Sequence, residues 1–414
     1  MTKKTLYLNF VQLMAILCLS LGFVTKIYSK DLTVGIIINN DKANFKILNT
    51  LNKLLPHMFF LIRDEFKEEF PKARIRFKYF FFQRETITAK KAISKAIADT
   101  NVHLVFGPFS GHLINVGRDV IQSGGLAFVS KANASSLRNL KNYYTFLEWS
   151  DVYVKAVLDY AKKALSKDKL NYAGFFLWNR EFSRSFFYEA HKLLKQEISV
   201  QRIMEKQLNF DKEINEILKN KPDIIMNPNY SRVSATIISQ IAKKGFKGVF
   251  VDDDLWGCGG GEEGSIFKKI TKNSNYIGYS ARQVSCTEEM QDEEKKFSYR
   301  LLLRANGTRY TTSIGVIYKA VKHILRSILK SKLEVNRENV QKIIQSYPFF
   351  EGYNQGQRYR LIKKTDAPNL INIYKYLKTQ NLIVLDMNQE KESFLADKKE
   401  KNAILGFLPR VNNI

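Results

Sequence analysis

Residues 102–111 read VHLVFGPFSG. The apolar run 102–106 is short and does not alternate, which marks a strand covered on both faces. Gly107-Pro108 stops it, and Ser110-Gly111 then opens a helix. Such a turn aims unpaired backbone N–H groups and a hydroxyl beyond the strand's end. That is a cradle for a carboxylate or another anion.

The same alternation of buried strand and helical stripe runs through most of the chain. Strands are expected at 32–39, 75–81, 102–106, 126–130 and 143–147, then at 172–177, 199–204, 223–227, 248–252 and 276–279. Helical patterns lie between them, among them 89–99, 152–165, 184–195 and 231–244. Ten strands exceed one comfortable small sheet, so two α/β lobes are expected, with a break near 148–151. From 288 to 346 the pattern turns helical. Beyond 347 it returns to strand-like pieces at 358–362, 370–377 and 382–385, and the charged stretch 389–401 reads as a frayed tail.

The start of the 414 residues reads as an export signal. Lys3 and Lys4 precede a mostly apolar stretch, 6–24, and Ser29 offers a small residue for cleavage. An uncleaved anchor over 6–24 is the alternative. Leu17 stands before Cys18 where lipid attachment requires a small residue, so a lipoprotein is not expected. Cleavage after Ser29 removes three lysines and takes the net charge from +26 to +23. Export and the scattering of Lys and Arg over nearly every helix argue against a nucleic-acid partner. Cys258 and Cys286 then remain, an even pair expected to form one disulfide in an oxidising compartment, with two separate thiols as the alternative. No His stands at metal-ligand spacing from either, so no zinc site and no cofactor is expected.

In open α/β sheets ligands sit beyond the carboxyl ends of strands. Those ends carry Ser110 and Gly111, then SKANAS at 130–135, in the first half. In the second half they carry 178–182, Asn227 to Tyr230 and 252–257. Small residues and donors therefore face aromatics and carboxylates, a division suited to a zwitterion. An α-carboxylate would meet Ser110 and neighbouring amides. An α-ammonium would meet Asp254, with Tyr230 and Trp256 adding hydroxyl and π-face contacts. The alternative for the Asp252–Asp254 triplet is a solvated acidic turn.

An enzyme needs a constellation that the sequence does not offer. Of five His, only His112 lies near a candidate nucleophile, Ser110, and no orienting acid accompanies the pair. Asp252 to Asp254 with Glu262 and Glu263 match no calcium loop. A P-loop and a dinucleotide fingerprint are both absent.

Four segments in order carry a resemblance: FGPFSG, GGLAFVSKANASSL, KPDIIMNPNY and SATIISQIAKKGFKGVFVDDDLWG. Over residues 31 to about 347 they resemble the type I periplasmic binding proteins of the branched-chain amino-acid group, receptors of ABC importers. The resemblance implies two lobes, each a mostly parallel sheet flanked by helices, joined by three hinge crossings. It divides the chain into a signal peptide at 1–29, a first lobe at 31–147 plus 281–347, and a second at 148–280 plus 348–414. It implies a monomer that captures a small amino-acid-like solute and presents it to an ABC permease in the inner membrane. A ligand-sensing module on the same fold is the other reading. Position by position, the family's carboxylate loop falls on Ser110 and Gly111, and its next contacts on Ala132 and Ala134. Its aromatics fall on Phe182 and Tyr230, and its ammonium-binding acid on Asp254. Gly111 replaces the usual Ser, Ala134 the usual Thr and Phe182 the common Tyr, so each position loses a hydroxyl.

Overall fold

The computed structural model describes residues 30–39, 50–83, 86–147, 149–167, 169–178, 180–204, 206–252, 269–271, 274, 277–282, 292–307, 312–346, 350–351, 358–363, 371–375 and 383–386. The proposed signal at 1–29 lies outside them, as do Asp254, Trp256, Cys258 and Cys286. Among the described residues, no helix is long and apolar enough to cross a membrane.

Two sheets organise the chain. The first begins with β1 (Asp31–Asn39), β2 (Arg74–Phe82), β3 (Leu104–Phe106), β4 (Ala127–Ser130) and β5 (Tyr143–Thr145), all parallel, in the order β5-β4-β3-β1-β2. The second holds β6 (Tyr172–Leu177), β7 (Ser199–Ile203), β8 (Ile224–Met226), β9 (Val249–Asp252) and β10 (Ile277–Arg282), parallel in the order β10-β9-β8-β6-β7. These fall within a few residues of the strands expected from the apolar runs. The runs lack alternation because helices cover both faces, and side chains of period two divide between two cores. In β1, Val34, Ile36 and Ile38 enter one core and Ile37 the other.

On one face of the first sheet lie α1 (Thr50–Glu69) and, from much later in the chain, three further helices. On the other lie α2 (Thr86–Ala98), α3 (Gly111–Val116) and α4 (Arg118–Ser123). The second sheet is covered by α5 (Ser150–Leu165) and α6 (Glu181–Leu194) on one side. On the other are α7 (Asp211–Lys219) and α8 (Ser231–Lys243). The chain then returns. Helices α9 (Asp292–Arg304), α10 (Thr312–Lys330) and α11 (Arg337–Ser346) bury Phe297, Leu301, Ile317, Ile324 and Val340 in the first core. Glu65 of α1 fastens the first two, accepting from Tyr318 Oη at 2.7 Å and pairing with Lys322 at 2.9 Å and Arg300 at 3.0 Å. Just before β1, Lys30 Nζ donates to the carbonyl of Ile328 at 2.8 Å, to that of Ser331, and to Ser331 Oγ at 3.1 Å. A basic group there satisfies carbonyls at the end of α10 that have no partner within the helix.

The C-terminal strands correct one boundary. The resemblance placed everything beyond 347 in the second lobe. Instead β11 (Phe350–Glu351), β12 (Arg358–Lys363) and β13 (Ile371–Lys375) extend the first sheet in the order β11-β12-β13-β5. Only β14 (Ile383–Asp386) joins the second, antiparallel to β10. The reason is the free edge of β5, whose unpaired backbone groups β13 satisfies.

Candidate functional site

The carboxyl ends of β3 and β4 form one wall. Gly107 adopts φ +87°, and a Cβ there would lie 2.5 Å from the Ile37 carbonyl oxygen, so only glycine fits the turn. Gly107 N–H donates to Val129 O at 2.9 Å. Ser130 Oγ donates to Pro108 O at 2.7 Å and accepts from Ala132 N–H at 3.2 Å, which ties the two loops together. Buried Tyr143 donates to Ala132 O. Burial also pushes the Tyr143 hydroxyl far above its ordinary range, so it stays a donor.

Ser110 sits at the N-cap position of α3 in extended conformation, yet its hydroxyl makes no capping bond. It is half-buried at the start of the helix, as is Gly111. Ala132 and Ala134 lie deeper, at 7% and 1% exposure, packed among Leu137, Leu140 and Trp149. The amide and carbonyl of Ala132 are both engaged within the first wall, so this residue shapes the loop more than it offers groups to a solute.

The opposite wall comes from β6 and β8. Asn229 is fully buried and organises it. Its Oδ1 accepts from Leu177 N–H at 3.0 Å, and its Nδ2 donates to Phe175 O at 2.8 Å and Asn227 Oδ1 at 2.6 Å. Ser183 Oγ also accepts from Leu177 N–H, at 3.2 Å. This network fixes the two strand ends from which Phe182 and Tyr230 project. Phe182 meets Tyr153 edge to face at 5.9 Å. Tyr230 is 38% exposed. The guanidinium of Arg180 lies 5.4 Å from the Phe182 ring centroid and 5.1 Å from that of Tyr230.

The walls meet directly. At the first crossing, Ser150 N–H donates to Asn133 O at 2.9 Å and Ser150 Oγ accepts from Ser135 N–H at 2.9 Å. Arg138 pairs with Asp151 across the same crossing. Further out, Glu181 reaches from α6 to the first wall, accepting from Ser136 Oγ at 2.6 Å and Asn115 Nδ2 at 3.3 Å while pairing with Arg184. Ser185 Oγ donates to Ser136 Oγ at 3.2 Å. Arg118 braces these partners, donating to Asn115 Oδ1 at 2.9 Å and Ser136 O at 2.7 Å.

The structure thus gathers Ser110, Gly111, Ala132 and Ala134 on one side of the junction and Phe182 and Tyr230 on the other. Arg180, Glu181, Asn115 and Ser136 were not singled out from the sequence. The only local sign was the strand-to-helix turn WNREF, which places a charged pair directly before Phe182. His112, beside Ser110, is held below its ordinary pKa by burial and by Arg184, against the opposing pull of Glu181. Among the described residues, no three His, Cys, Asp or Glu side chains cluster as metal ligands would.

No protein-family model matches the sequence, and no curated protein sequence matches it. Solved structures do match. The branched-chain amino acid transporter substrate binding protein LivJ of Streptococcus pneumoniae, in complex with isoleucine, superposes with a TM-score of 0.64 at 16% identity. The match covers 86% of this chain and 100% of that one. The leucine binding protein LivK of Thermotoga maritima gives a TM-score of 0.61 at 13% identity, over 86% of this chain and 99% of that one. A fatty acid ABC transporter substrate-binding protein of Thermomonospora curvata gives 0.62 at 13% identity, over 85% and 94%. The chain has the two-lobed type I periplasmic-binding-protein fold that these substrate-binding proteins share.

Proposed function

We propose that the protein is an extracytoplasmic solute-binding receptor, exported by its N-terminal segment, which hands a small polar solute to an ABC permease. The supporting observation is the pairing of two differently built walls at the carboxyl ends of both parallel sheets. A small-residue loop at Ser110–Gly111 approaches the start of α6, where a Cβ added at Gly111 would fall 3.3 Å from that of Glu181, the residue before Phe182. Neighbours in the fold are named as substrate-binding proteins for isoleucine, leucine and fatty acid, so the architecture accommodates unrelated solutes. The solute sits between the lobes, and its binding holds them closed, which creates the surface that a permease recognises. Ser110 and the amide of Gly111 receive its carboxylate, and Asp254 its amine. No catalytic residue is assigned. Transfer to the permease needs only opening and closing.

The direct test is thermal-shift screening of the purified protein against small polar solutes, since a ligand bound only by the folded state raises its melting temperature. A saturable shift accompanied by a decrease in radius of gyration supports the reading. Failure of every amino acid, amide, organic acid and short peptide to shift the transition would overturn it.

A further inference from the structure

In a parallel sheet flanked by helices, the helix C-termini gather at the amino ends of the strands. Lysine and arginine are favoured in those last turns. The first lobe concentrates basic side chains at that pole. Helices α1, α2 and α10 end there, and their last turns carry Lys67, Lys95 and Lys330. Lys72 and Arg74 stand where the chain enters β2, and Lys332 lies between α10 and α11. Lys30 draws these pieces together. Its carbonyl accepts from Arg74 N–H at 2.8 Å, and its Nζ donates to Ile328 O at 2.8 Å and Ser331 Oγ at 3.1 Å.

Most carboxylates of this pole are already taken. Asp31 pairs with Arg76 at 2.9 Å, Asp99 with Lys78, and Glu338 with Lys342 at 2.7 Å. Both oxygens of Glu69 accept from Arg326, at 2.7 and 2.6 Å. Arg337 spends its guanidinium on the carbonyls of Val102, Ile97 and Asp99. Among the described residues, Glu68 and Glu334 are the acids left outside an ion pair here. Against them stand Lys67, Lys72, Arg74, Lys95, Lys330 and Lys332, all exposed and without an acidic partner among the described residues. Leu333, next to Lys332, is 43% exposed.

We propose that this pole docks on an anionic phospholipid bilayer. The proposal rests on the receptor reading above, which sets an exported protein beside the membrane that holds its permease. A chain with a net charge of +26 is drawn to such a surface, and clustered bases deepen the attraction. A second copy of the chain carries the same charge and is repelled. Leu333 enters the headgroup region, while the stem of Lys332 lies along it and keeps its ammonium in water. The solute loops follow the opposite ends of the strands. Attachment at this pole therefore leaves the cleft free to open and close.

Co-sedimentation of the purified protein with lipid vesicles tests this. Vesicles of phosphatidylglycerol and phosphatidylethanolamine are compared with vesicles of phosphatidylcholine alone. Binding is expected on the anionic vesicles only, and should vanish as sodium chloride rises toward about 1 M, where the screening length falls to about 3 Å. Lys72→Gln, Arg74→Gln, Lys330→Gln and Lys332→Gln combined should weaken it about 100-fold or more. A control combines Lys192→Gln, Lys206→Gln, Lys212→Gln and Lys247→Gln, exposed positions of the second lobe. It removes the same charge and should weaken binding by less than about fivefold. All these side chains are exposed, and circular dichroism confirms that both variants fold. Equal weakening by the two sets would assign the effect to net charge and overturn the inference. So would tighter binding of a duplex DNA oligonucleotide than of the anionic vesicles. If the parent protein does not bind those vesicles at low salt, the docking pole is wrong whatever the variants do. The receptor reading, tested by solutes, survives each of these failures.

Discussion

Gly111 and Glu181 belong to different lobes, and a Cβ on the glycine would come 3.3 Å from the Cβ of the glutamate. A side chain at 111 would therefore have to fit against Glu181, where the second lobe comes closest. Glu181 crosses to Ser136 and Asn115 through the space that a side chain at 111 would crowd.

That contact is expected to hold the lobes together. Glu181→Ala removes the shared acceptor of Ser136, Asn115 and Arg184, and should lower the unfolding free energy by about 1–3 kcal/mol. It should also enlarge the radius of gyration seen by small-angle X-ray scattering. A radius identical to that of the parent protein would show that the contacts around Ser150 and Asp151 hold the lobes unaided.

The turn after β3 should tolerate no side chain at 107. Gly107→Ala combines a φ of +87° with a 2.5 Å approach to the Ile37 carbonyl, and should cost about 1–3 kcal/mol. Gly125 provides the control. Its φ is +61°, but nothing lies within 4 Å of its added Cβ, so Gly125→Ala carries the backbone penalty alone. Equal losses at the two positions in thermal melts would mean that the Ile37 contact relaxes freely.

Asn229→Ala should destabilise the second lobe by about 2–3 kcal/mol, because it removes the amide that Phe175 O and Asn227 Oδ1 accept from and leaves Leu177 N–H with Ser183 Oγ alone. Amide exchange resolved by mass spectrometry should quicken at the end of β6 before it changes in β1. Uniform acceleration throughout the chain would contradict this local role.

Acid should weaken the fold through its histidines. His103 Nδ1 accepts the Thr33 N–H at 3.0 Å, and burial together with the charge of Arg337 holds its pKa below the ordinary 6.5. His57 and His112 are lowered in the same sense, chiefly by burial. The unfolded chain therefore takes up protons that the folded one refuses. Stability is complete above about pH 6.5 and declines as pH falls toward the lowered folded values. Melting temperatures measured from pH 7.5 downward should show this slope, and His103→Gln, which can still accept from Thr33, should flatten it. A slope unchanged in that variant would assign the acid loss to other groups.

The strands were legible because each apolar run is short, unbroken and stopped by a turn, as VHLVF is by Gly107-Pro108. Their carboxyl ends then pointed to Ser110, Phe182 and Tyr230 without any contact being known. Glu181 and Ser136 escaped notice because they lie 45 residues apart and no local periodicity links them. Arg180 was hidden for a related reason. A single basic residue in a chain with 66 Lys and Arg has no distinguishing mark until two rings are found beside it. The strands at 358–363 and 371–375 were readable as strands, but a pleat says nothing of which sheet edge will accept it. The unpaired side of β5 decided that.

Lys30 grips the end of α10 at the amino end of β1, whereas the loops at Ser110 and Ala132 lie at the opposite ends of the strands. The residue that leads into β1 is therefore pinned at the pole of the first sheet opposite the loops proposed to receive the solute. A change at that end reaches those loops only through the full length of the strands.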